Sequence, residues 1–115
     1  MLIDLERFNS LKDGDSEEET KWFLEVIGTL FENMVTRLSN IAQCIQDADH
    51  AKLQKELHQV KGIALNFGLN ELASATTSAE QLCKDGKFAE AIAASAPVAG
   101  IWEKTKSEIE KQIQA

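Results

Sequence analysis

Between Trp22 and Ile45 the apolar residues fall in pairs one helical turn apart: Trp22/Phe23, Val26/Ile27, Leu30/Phe31, Met34/Val35, then Leu38, Ile41/Ala42 and Ile45. This is the period of an α-helix. A stripe that wide, on a helix of about 30 residues, has to face more than one neighbour. The chain must therefore supply further helices to cover it. Ser16 and Glu19 carry capping-box spacing and set the start, after the loop Lys12-Asp13-Gly14-Asp15. The acidic run Asp15 to Glu19 reads as an N-terminal capping segment. Leu2 to Leu11 can form a short amphipathic helix over one end of the assembly.

The remaining segments answer that demand. Asp49 is a good N-cap for a second helix to Phe67, whose Leu53, Leu57, Val60, Ala64 and Phe67 draw one narrow seam before Gly68 stops it. A third helix runs from Leu69 to Lys84 with Leu72, Thr76, Ala79 and Leu82/Cys83 inward, and Asp85-Gly86 ends it. A fourth begins near Lys87 with Phe88, Ile92, Ile101/Trp102, Thr105, Ile109 and Ile113 facing in. Pro97 predicts a kink or break between Ser95 and Val98. The expected fold is all-α, an antiparallel four-helix bundle with a short extra N-terminal helix. One domain is expected over 1–115, with 1–15 as a cap segment and 16–115 as the bundle.

Composition narrows the partners. One proline, six glycines and no tyrosine among 115 residues leave little for strands and turns. A net charge of −7 would repel nucleic acid phosphates, so no nucleic-acid partner is expected. No apolar run reaches the roughly 18 residues of a membrane span, and the acidic start MLIDLERFNS is unlike a secretory signal. A cytoplasmic monomer is the expectation. Cys44 and Cys83 fall on or near apolar stripes and read as small core residues, as Trp22, Trp102 and the phenylalanines read as packing.

The second helix carries the candidate chemistry. His58 lies roughly 140° from the centre of its seam, on an outer stripe with Ala51, Gln54, Lys55, Gly62 and Leu65. Gly62 costs about 1 kcal/mol relative to alanine in a helix interior, and it clears space above the imidazole one turn earlier. Lys61 can lay an ammonium near whatever His58 holds. An exposed imidazole beside open space and a cation is a cradle for a transferable anion. No glycine-rich nucleotide loop, second base or set of metal carboxylates accompanies it, so the chain could carry a group but not install it from ATP. His50, about 12 Å away by helical rise, reads as a solvated first-turn residue too distant to share a metal.

His58-Gln59-Val60-Lys61-Gly62-Ile63-Ala64-Leu65-Asn66-Phe67-Gly68 resembles the H-x-x-K-G-x-x-x-x-x-G signature of histidine-containing phosphotransfer (HPt) domains. The resemblance extends to the acidic N-cap before the histidine, the helix opening after Gly68 and the Asp-Gly turn into the fourth helix. It implies a phosphorelay intermediate. His58 would accept phosphate from a receiver-domain aspartate, Lys61 would be the phosphate-side cation, Gly62 the clearance residue and Gly68 the break. Partners would be response-regulator receiver domains and a hybrid sensor histidine kinase. No cofactor is expected in this chain, the Mg²⁺ belonging to the receiver. Docking would use Ala51, Gln54, Lys55, Gln59 and Leu65, joined by Ala73, Thr77 and Glu80 of the third helix. Glu80 stands where many members of the family place a glutamine facing the histidine. A carboxylate there would hydrogen-bond the imidazole but repel phosphate, leaving the supporting role to Gln81 or to no residue. The alternative function is a non-phosphorylated adaptor docking on receivers.

Overall fold

The computed structural model describes residues 1–12, 14 and 16–114. Asp13 and Asp15 of the expected loop and capping run, and the terminal Ala115, lie outside the described residues. Helix α1 (Leu5–Ser10) is followed by α2 (Glu17–Gln46), α3 (His50–Phe67), α4 (Asn70–Lys84), α5 (Phe88–Ser95) and α6 (Val98–Gln114).

Each boundary has a local cause. The Glu19 N–H donates to the Ser16 hydroxyl at 3.1 Å to open α2, with three glutamates in the first turn facing the positive end of the helix dipole. The 30 residues of α2, about 45 Å at 1.5 Å per residue, account for the 48 Å long axis of the molecule. Asp49 caps α3 by accepting from the Lys52 N–H at 3.1 Å. Gly68, at φ 72°, ends it in the left-handed region. Pro97 separates α5 from α6 where the break was expected, and its carbonyl accepts the Ile101 N–H at 3.0 Å as α6 begins.

Three long helices, α2, α3 and α4, and the broken pair α5–α6 make the four-helix bundle, with α1 added at one end. Its core is the seam Leu53, Leu57, Val60 and Ala64 packed with Ile27, Leu30 and Met34 of α2, Leu72, Ala79 and Cys83 of α4, and Val98, Trp102 and Ile109 of α6. Cys44 and Cys83 are buried free thiols in this core, as their positions in sequence implied. Helix α1 straps the α3–α4 turn. The Asp4 N–H donates to the Gly68 carbonyl at 2.7 Å, and Arg7 Nε donates to the Asn66 carbonyl at 3.1 Å.

Two aromatic assignments need correction. Trp22 is 53% exposed, because the wide stripe of α2 outruns the helices that cover it. Phe88, also exposed, leaves the core to stack on His50 with ring centroids 3.9 Å apart and planes 14° from parallel. His50 is thereby half-buried rather than simply solvated.

The two glycines that flank the second half of α3 should respond oppositely to alanine. At Gly68 a Cβ would meet Arg7 Cγ at 2.9 Å and the Asp4 carbonyl oxygen at 3.1 Å, at a positive φ. Gly68→Ala is expected to lose about 1–3 kcal/mol in urea or thermal unfolding. A Cβ at Gly62 meets nothing within 4 Å, so Gly62→Ala should gain up to about 1 kcal/mol from helix propensity.

Candidate functional site

The α3 seam buries Leu53, Leu57, Val60 and Ala64 and so turns His58 outward; its side chain is 65% exposed. Ala51, Lys55, Gln59, Gly62 and Leu65 are exposed on the same side, and Gln54 is half-buried. On α4 Thr77 is exposed, but Ala73 is buried at 7% relative exposure and Glu80 at 1%. Ala73 therefore presents no docking surface, and Glu80 belongs beneath the site rather than on its face. The reason is helical phase: Ala73, Thr76, Ala79 and Glu80 share the side of α4 that meets α3.

Glu80 is the organising group. Its Oε2 lies 2.9 Å from His58 Nδ1, while its Oε1 receives Lys61 Nζ at 2.7 Å and Lys84 Nζ at 3.0 Å. Burial works to raise the pKa of this carboxyl, but the hydrogen bonds from Lys61, Lys84 and His58 outweigh it and hold the pKa down at about 2. An ionised carboxylate only accepts hydrogen bonds. The uncharged imidazole therefore carries its proton on Nδ1 and directs the bare Nε2 away from Glu80. Gln81 takes no part, since it is exposed and its amide donates to Asp85 at 3.0 Å. Glu80 itself is the residue that holds the imidazole, and two lysines on one of its oxygens compensate its charge.

Lys61 behaves differently from the expectation for it. Its ammonium sits on Glu80, and its side chain is only 21% exposed. Lys84 was missed in the sequence; the available signal was its place one turn after Glu80, where i,i+4 pairs form. Two hollows flank the imidazole. One, of about 220 Å³, is lined by Gln54, Lys55, His58, Gln59, Glu80 and Lys84. The other, of about 650 Å³, is lined by His58, Gln59, Gly62 and Asn66 together with Asn33, Ile63 and Phe67. Gly62 lines the second, and no atom lies within 4 Å of where its Cβ would stand.

Acid should unfold the protein partly through Glu80. A carboxyl lowered in the folded state from 4.5 to about 2 contributes its full stabilisation above pH 4.5, and loses it as pH falls toward 2. Glu80→Gln removes this titration, so its unfolding free energy should vary less with pH across that window than the wild type's. Urea unfolding at a series of acid pH values measures both slopes, and equal slopes would separate Glu80 from acid stability.

Among the described residues no helix is long and apolar enough to cross a membrane. Searches among curated proteins and among solved structures returned no match. A sequence model of the Hpt domain, by contrast, matches residues 25–115. Domains of that family carry phosphate on histidine in phosphorelays, interact there with receiver domains and histidine kinases, and are phosphocarriers rather than kinases. With the match running through α3, α4 and the whole Glu80 cluster, this chain belongs to the Hpt domain family.

Proposed function

We propose that this chain is the histidine phosphotransfer step of a two-component phosphorelay, with His58 taking phosphate from a receiver-domain aspartate and passing it to another. The observation that carries the reading is the contact between His58 Nδ1 and Glu80 at 2.9 Å on an exposed ring. It leaves Nε2 as the outward lone pair. In the forward step Nε2 forms the N–P bond as the P–O bond to the donor aspartate breaks. The aspartyl carboxylate departs with the electron pair. The Nδ1 proton stays where it is, and Glu80 stabilises the positive charge that develops on the ring. Passing the group on reverses these changes at a second receiver. The receiver supplies Mg²⁺ and the rest of the chemistry; this chain supplies a positioned nucleophile.

The approach surface is the exposed side of α3, with Ala51, Gln54, Lys55, Gln59 and Leu65, extended by Thr77 of α4. Gly62 keeps it clear, since no atom lies within 4 Å of where its Cβ would stand. The partners on this reading are response-regulator receivers and, upstream, a hybrid sensor histidine kinase.

Mixing the protein with a phosphorylated receiver should give a phosphoprotein that loses its label in acid and keeps it in alkali, as a phosphoramidate does. His58→Gln should take up none, with a melting temperature close to wild type because an exposed side chain contributes little to packing. His50→Gln should transfer normally. A wild-type protein that binds the receiver but takes up no phosphate would instead be a docking adaptor.

Glu80→Gln should slow phosphorylation about tenfold, corresponding to about 1–2 kcal/mol of lost transition-state stabilisation. With both lysines on one oxygen, a glutamine keeps that oxygen toward them and turns its NH₂ to Nδ1. This favours the wrong tautomer. Transfer rates and ¹⁵N imidazole shifts check the point together, and an unchanged rate with an unchanged tautomer would remove Glu80 from the mechanism.

A further inference from the structure

The Glu80 cluster holds one more cation than its carboxylate requires. Lys61 and Lys84 both reach Oε1, at 2.7 and 3.0 Å, so one negative charge faces two positive ones. Their settings differ. Lys61 is 21% exposed and lines neither hollow beside His58, whereas Lys84 is 46% exposed and stands at the rim of the smaller hollow with His58, Lys55 and Gln54. The Lys61 side chain is largely covered where it meets Glu80. Lys84 extends from the last turn of α4, and needs only side-chain rotation to turn from Oε1 into the hollow, while Lys61 keeps the buried carboxylate paired.

Resting on the assignment of His58 as phosphate acceptor, we propose that Lys84 is the ammonium that meets the transferred phosphoryl group, and that Lys61 is the resident counterion of Glu80. As the N–P bond forms on Nε2 and the donor carboxylate leaves, Lys84 exchanges a carboxylate oxygen for a phosphoryl oxygen. No proton is transferred in that exchange. The buried anion remains neutralised throughout. Lys61 thus acts as a positioning residue through Glu80, and Lys84 is the phosphoryl-contacting one.

A merely structural Lys84, an i,i+4 partner on the surface of α4, would affect stability and transfer together or neither. The proposal separates them. Lys84→Met should slow transfer from a phosphorylated receiver at least tenfold while its melting temperature stays close to wild type, and Lys84→Arg should transfer within about threefold of wild type. Lys61→Met should lower the melting temperature more than Lys84→Met does, because Lys61 is the closer and less exposed of the two cations on the buried carboxylate. The second readout is the ³¹P resonance of the phosphorylated proteins, followed against pH in the Glu80→Gln background, where neither lysine has a carboxylate to hold it. There, removing Lys84 should move the phosphoryl titration to higher pH, and removing Lys61 should leave it in place. Wild-type transfer by Lys84→Met, or a phosphoryl titration that responds to Lys61 and not to Lys84, would overturn the proposal while leaving His58 as acceptor. Absence of any acid-labile phosphate on the wild type would overturn both.

Discussion

A carboxylate removed from water is costly unless ionic and hydrogen-bonding partners surround it, and the site of this protein is built around one that is fully supplied. Glu80 on α4 reaches His58 and Lys61, which both stand on α3, and Lys84, on its own helix. These contacts fix three things at once: the spacing of α3 from α4 at the level of the histidine, the ring nitrogen that bears the proton, and the place of the cations. Either lysine alone can balance the carboxylate, and only the loss of both would leave its buried charge unpaired.

Glu80 can reach across because the helices meet through small side chains. Ala64 of α3 and Ala73, Thr76 and Ala79 of α4 are buried, with Leu57, Val60 and Leu72 among them. Thr76 brings no orphan polar group to that interface, since its hydroxyl donates back to the Leu72 carbonyl at 2.8 Å. Glu80 follows Ala79, one step round from the middle of the contact, where its stem is buried and its head reaches the edge of the groove. The turn at Gly68 and the α1 strap above it hold the helix pair in register at one end. Helix α1 therefore supports the site without touching it.

Much of this was legible in the sequence, and the failures share a physical cause. Periodicity placed the helical segments and the outward phase of His58, and Pro97 marked the break in the last of them, because those depend on features of a single segment. What a single segment does not encode is how completely its neighbours cover it. Trp22 stands exposed although it belongs to the same paired stripe as Phe23, which is buried. Phe88 left its expected place for a ring on another helix. At the site, His58 and Gly62 follow from α3 alone, whereas the choice of Glu80 over Gln81 needed the α3–α4 crossing. Lys84 needed still more. Its part depends on two lysines from different helices converging on one oxygen, and no motif records that.

The electrostatics of the cluster also bear on how a carrier can both accept and release. The chain as a whole is acidic, with a net charge of −7, yet Glu80, Lys61 and Lys84 together leave one positive charge beside an outward imidazole. A local positive site on an acidic surface draws a phosphoryl group to one place and discourages anions elsewhere. One surplus charge against a group of about two negative charges leaves the phosphoryl group incompletely neutralised. A carrier that neutralised it fully would stabilise the phosphorylated state itself and raise the barrier to passing the group on. On the proposed assignment Glu80 prevents that, because its own charge cancels one of the two lysines. On that assignment the carboxylate sets the ring tautomer for acceptance and limits the hold on the group for release.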